Sequence, residues 1–172
     1  CLFSKMTDSK RKVFFNGKFV DESEAKISIY DSALMFGDMV FEMTRSFNKK
    51  QFMLEEHIDR LLIGTKILRI PLKYDKQYIL DACHETVKKN EKNFREDDEH
   101  RLMIDVTRGS LGIYKGVQGI DHEPNLIIAD FPLRWTVSSM GELFSRGINA
   151  AITSQRAIPA RFLDPKIKNR SR

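Results

Sequence analysis

Three side-chain types in this 172-residue sequence stand where they could do chemistry. In "LEEHIDRLLIGTKILRI", His57, Arg60, Gly64 and Ile67 fall on one stripe by helical spacing. That places a guanidinium, the group suited to gripping a phosphate from two directions, one turn from a glycine that lets another group come close. The competing reading is a surface Arg60 paired with Glu56. In "RLMIDVTRG", Leu102, Ile104 and Val106 alternate onto one face, and parity carries Arg108 to the same side, just before Gly109. A half-buried arginine needs an anion, either an internal carboxylate or the carboxylate or phosphate of a ligand. In "DPKIKNRSR", Lys166 and Lys168 share a face if the segment is extended. A lysine in an apolar cleft becomes a nucleophile toward aldehydes and forms a Schiff base, whereas one in solvent is only a charge. Phe36 and Phe41, on either side of the loop-like Gly37-Asp38, could wall a pocket or fill core. No spacing points to a metal, and His84 and His100 read as surface or capping residues.

These groups need elements to position them. "RKVFFNGKFVDES" reads as two strands joined at Asn16-Gly17, a hairpin signal. "VFEMTRSF", the turn "NKK" and "QFML" repeat the pattern. Leu54, Ile58, Leu61, Thr65 and Leu68 predict an amphipathic helix closed by Pro71, and "KYDKQYILDACHETVKKNEKN" predicts a second. "EKNFREDDEH" reads as a surface loop. "HRLMIDVTRG" and "NLIIADF" read as central strands, the latter apolar enough to be buried on both faces. "PLRWTVSSMGELFSRG" reads as a connector with a short helix, and "INAAITS" as the start of a new strand. The sequence thus predicts an α+β domain over 1–133, a linker over 134–145, and the first part of a second domain over 146–172. That last piece is too short to bury a core of its own, so the chain reads as cut.

Composition narrows the function classes. Apolar residues make up 41% and charged residues 31%, as in a soluble globular protein. No apolar run is long enough for a membrane-spanning helix. Two cysteines, Cys1 and Cys83, form neither a zinc motif nor a disulfide framework, which suits a cytoplasmic, reducing compartment. "CLFSKM" is too short for a secretory signal, and Met6 is a candidate start. The net charge of +5 raises nucleic-acid binding, but the basic residues are scattered among 24 acidic ones without an aromatic-basic ladder. That argues against a nucleic-acid partner.

Taken in order, "FGDMVFE", "EEHIDRL", "VTRG" and "DPKIKNRS" resemble the class IV aminotransferases, the fold type IV pyridoxal-phosphate enzymes. That family includes branched-chain and D-amino-acid aminotransferases and aminodeoxychorismate lyase. The resemblance runs from about Val13 onward and implies a two-domain α+β fold, N-terminal domain complete and C-terminal domain truncated. It implies pyridoxal 5'-phosphate as cofactor, an amino acid and a 2-oxo acid as substrates, and a homodimer. It matches Lys168 to the lysine that carries the cofactor and moves the substrate proton, and Arg60 to the arginine on the cofactor phosphate. Arg161 resembles an arginine near the cofactor in D-amino-acid members. Phe41 falls where members place an aromatic wall of the substrate pocket, and Arg108 at the pocket mouth, toward a substrate carboxylate. Met39 replaces a usual glycine, and "TRGS" replaces the arginine-proline pair of branched-chain enzymes. Pyruvate elimination by a lyase and a noncatalytic remnant of the fold are the alternatives.

Overall fold

The computed structural model describes residues 11–170, so Cys1, the candidate start at Met6, and Ser171 and Arg172 lie outside it. Among the described residues, strands β1 (Lys12–Phe15), β2 (Lys18–Asp21), β3 (Met39–Phe47), β4 (Lys50–Gln51), β5 (His100–Thr107) and β6 (Asn125–Pro132) form one sheet. Their order is β2-β1-β6-β5-β3-β4, and every pairing is antiparallel. Both expected hairpins are present. Asn16 and Gly17 turn the first with positive φ, and Asn48 and Lys49 turn the second the same way, the handedness a two-residue loop between right-twisted strands needs.

Helices α2 (Leu54–Ile67) and α3 (Lys76–Asn90) pack on one face of the sheet. Asp75 caps α3 by accepting the Tyr78 amide at 2.8 Å. The apolar stripe of α2 (Leu54, Ile58, Leu61) and that of α3 (Ile79, Leu80, Ala82, Cys83) meet Phe14, Val40, Leu102, Ile104, Val106, Leu126 and Ile128 from the sheet. Each fully buried Val, Leu, Ile or Phe among them contributes about 1.5–3 kcal/mol. The glycine on the α2 stripe serves this packing. A Cβ on Gly64 would lie 2.9 Å from the Val40 side chain, so the group that approaches closely is the sheet itself.

The opposite sheet face is less covered, so β6 is not buried on both sides as its composition suggests. Leu126 and Ile128 are buried under the helices, while Ile127, Ala129 and Phe131 on the other face stay half-exposed. Helix α4 (Arg134–Arg146) follows β6 at once and stacks Trp135 on Phe131. The expected connector is thus helical along almost its whole length. "INAAITS" does not form a strand: residues 148–154 are exposed and unpaired, with Ile152 fully open. A β-branched run needs a neighbouring strand before its propensity counts, and none stands beside it among the described residues.

A short helix α1 (Ser32–Phe36), capped by Asp31, connects β2 to β3. Its start is held by Gly109, whose carbonyl accepts the Ser32 amide at 3.0 Å. Gly109 has φ +81°, and a Cβ there would fall 2.2 Å from the Glu123 carbonyl oxygen. Gly109→Ala therefore combines a disfavoured backbone with a clash against main chain. It is expected to cost about 2–4 kcal/mol, read as a lowered urea midpoint.

Candidate active site

β3 brings two site residues to opposite faces. By alternation Glu42 points inward with Val40 and Thr44, while Phe41 points outward opposite Asp105 of β5. Because β4 pairs only with Ser46 and Phe47, the first half of β3 is a sheet edge. The segment 167–170 lies along it: the Phe41 amide donates to the Lys168 carbonyl at 3.0 Å, and Ile167 packs against the core. One main-chain bond and one apolar anchor thus set the lysine in place.

The Lys168 ammonium reaches over the edge to Glu42, with Nζ 3.1 Å from Oε2, and stands 5.1 Å from the centroid of the Phe41 ring. Glu42 is the hub of the site, its side chain only 1% exposed. Its carboxylate also accepts from Arg60 through both oxygens, by Nε and by a terminal nitrogen at 2.8 Å, and from His57 Nδ1 at 2.8 Å. An ionised carboxylate can only accept, so the proton of His57 sits on Nδ1. Burial alone would raise the Glu42 carboxyl. The hydrogen bonds from Arg60, His57 and Lys168 outweigh burial and hold it below the usual glutamate value. Arg60 is raised in return, chiefly by its hydrogen bond to Glu42.

Of the residues singled out in the sequence, the fold brings Arg60, Phe41 and Lys168 together. Arg60 pairs with Glu42, not Glu56. Lys166 is exposed and its backbone amide turns back to Asp164. Arg161 lies apart, exposed, with its guanidinium 4.9 Å over the Phe162 ring. Arg108 reaches the side that parity indicated, but its partners are internal. It forks onto Asp38 and donates to the carbonyls of Leu68 and Arg69, closing the C-terminal end of α2. Phe36 is exposed rather than core.

Two groups escaped the sequence reading. Glu42 was signalled only by parity, as a carboxylate on the buried phase of a strand. His100 is not a surface residue: it is 1% exposed, with Nδ1 2.8 Å from Asp130 and its ring stacked on Phe94. The acidic look of "EKNFREDDEH" conceals that Asp98 is also buried, paired with Arg134.

The arrangement is an amine and a guanidinium held on one buried carboxylate beside an aromatic ring. Residues 39–172, which hold all of it, match the family described as amino-transferase class IV. The chain belongs to the class IV aminotransferases. A putative branched-chain-amino-acid aminotransferase of Methanocaldococcus jannaschii is 37% identical over 158 residues, 92% of this chain and 51% of that protein. A D-alanine aminotransferase of Staphylococcus haemolyticus is 35% identical over 98 residues, 57% of this chain and 33% of that protein. Among solved structures, the branched-chain aminotransferase of Thermoproteus uzoniensis with norvaline superposes with a TM-score of 0.71 at 26% identity. That match covers 94% of this chain and 52% of that one. The chain thus spans about half the length, or less, of the relatives it matches.

The donor set suits the family's cofactor. An aldehyde needs an amine, and Lys168 is 34% exposed beside Phe41. A phosphate needs fixed cationic donors, and Arg60 is 47% exposed with only its Nε side committed to Glu42. Among the described residues no helix is long and apolar enough to cross a membrane, and no acidic, histidine or cysteine group forms a metal cluster.

Proposed function

We propose that this chain carries the lysine side of a pyridoxal 5'-phosphate site that moves an amino group between an amino acid and a 2-oxo acid. The donor class is branched-chain or D-amino acid, the working unit a cytoplasmic homodimer, and the cofactor half of the site continues in a domain beginning near residue 146. The observation that carries the reading is the sharing of one buried carboxylate, Glu42, by Lys168 and Arg60.

When bound, the cofactor supplies an electron sink for the carbanion left at the substrate Cα. The protein's own groups do the rest. Lys168 would hold the cofactor by its aldehyde, with loss of water, and the substrate amine would take its place there. Freed from the aldehyde, its amine would stay tethered through the backbone bond to Phe41, placed to take the Cα proton and return it two bonds away. Glu42 accepts a hydrogen bond from that amine and steadies it, and by the same carboxylate orients Arg60 toward a phosphate. Phe41 covers the amine with an apolar face. Arg108, with its fork spent on Asp38 and the end of α2, has no part in this sequence of steps.

Borohydride reduction of the full-length protein mixed with pyridoxal phosphate tests it. The adduct mass is expected on the peptide carrying Lys168, with Lys166 unmodified. Labelling spread over exposed lysines, or centred on Lys166, would sink the assignment. Release of pyruvate without an amino acceptor would move the reaction from transfer to elimination.

A further inference from the structure

Resting on the reading of Lys168 as the reactive amine, we propose that Arg170 binds the carboxylate of the amino or 2-oxo acid. The other arginines near the site are committed. Arg60 is held on Glu42 with its other side given to the phosphate in the proposed site, Arg108 is spent on Asp38 and the α2 carbonyls, and Arg161 lies over Phe162. Arg170 is different. Its guanidinium carbon is 4.8 Å from the Phe41 ring centroid, the same ring that Lys168 Nζ approaches to 5.1 Å. The amine and the guanidinium are therefore no farther apart than the sum of those distances. Because both cations approach one ring, a molecule whose nitrogen exchanges with Lys168 can lie along Phe41 with its carboxylate turned toward Arg170.

The guanidinium is anchored yet open. One terminal nitrogen donates to Asp105, 3.1 Å from Oδ1 and 3.5 Å from Oδ2, and touches the Met103 sulfur at 3.3 Å. Asp105 is a rigid anchor, lying on β5 with its side chain only 13% exposed. Nε and the second terminal nitrogen make no hydrogen bond among the described residues, and the side chain is 47% exposed. An arginine held by one nitrogen with the remaining donors free can take a carboxylate by a two-point contact. Asp105 sets the direction of the fork and Phe41 sets its distance from the lysine.

The test uses the full-length protein loaded with pyridoxal phosphate, following the visible band that depends on Lys168. 3-Methylbutanoate and its uncharged amide are titrated as probes. The wild type is expected to bind the acid about tenfold or more tighter than the amide, the scale of a charge-assisted contact. R170M is expected to erase that preference by weakening the acid alone, raising the KM of the amino acid about tenfold with kcat changed far less. R170K, which keeps the charge and loses the fork, is expected to retain part of it. An intact band with an unchanged acid-to-amide ratio in R170M overturns the role of Arg170. If R170M does not fold, an unchanged ratio in R170K overturns it equally. A wild type without a Lys168-dependent band overturns the lysine reading, and this proposal with it.

Discussion

Lys168→Ala in the full-length protein is expected to abolish transamination, with turnover falling by about four orders of magnitude or more. The size follows from losing two functions of one side chain. General acid–base transfer by a positioned group contributes about 10²–10⁴-fold, and holding the amine at the reacting carbon adds the advantage of an effectively unimolecular step. The fold should survive, because the anchors of the segment are the Lys168 carbonyl and Ile167, neither of which needs the ammonium. Added methylamine is expected to restore a small, concentration-dependent rate. A variant retaining more than about a hundredth of wild-type turnover would show that another group moves the proton.

The second large effect is expected at Glu42, and on stability as well as activity. Removing one partner of a buried ion pair typically costs about 3–5 kcal/mol. Here Arg60 and Lys168 are 47% and 34% exposed and can return to water, so the cost of Glu42→Gln is expected below that range, about 2 kcal/mol. The pH dependence has a definite sign. Glu42 is lowered in the folded protein from the 4.5 of an ordinary glutamate, so its contribution is fully present above that pH and is lost as pH falls through the folded value. Asp105 and Asp130 move the other way, raised by burial, so the acid limb of the wild type alone is a composite. The difference between wild type and Glu42→Gln isolates the hub: the share that comes from the Glu42 charge should be at full size above the ordinary glutamate value of 4.5 and shrink below it. A difference that grows on acidification would mean that Glu42 is protonated in the folded protein and that the network is not ionic.

Much of the frame was legible in the sequence because its signals are local. Asn16-Gly17 admits one kind of turn, and the spacing of Leu54, Ile58 and Leu61 admits one buried face. The site was legible in part. Arg60, Phe41 and Lys168 carry motifs whose order survives distance in the chain. What joins them is Glu42, and nothing local says that a carboxylate on β3 will meet a histidine and an arginine from α2 and a lysine 126 residues away. Parity put Arg108 on the right side without naming its partner, because Asp38 and the end of α2 arrive from elsewhere. The expected strand at "INAAITS" fails for the converse reason. Its propensity is real, but a strand is a relation between segments.

The bond from the Phe41 amide to the Lys168 carbonyl has a consequence for the order of folding. The hairpins and the α2–α3 pair join residues close in sequence, whereas this contact joins residues 41 and 168, and loop closure delays such contacts. The hairpins and the helix pair are therefore expected to form ahead of this contact, and the Lys168 segment, held by one main-chain bond and Ile167, to dock late on the open edge of β3. In hydrogen exchange the Phe41 amide should open with a smaller free energy than the amides of Leu102 and Ile104, which are shut inside the sheet. Until the lysine docks, that edge offers unpaired donors to any neighbouring chain. Closing the site and protecting the nascent protein from self-association are then a single event.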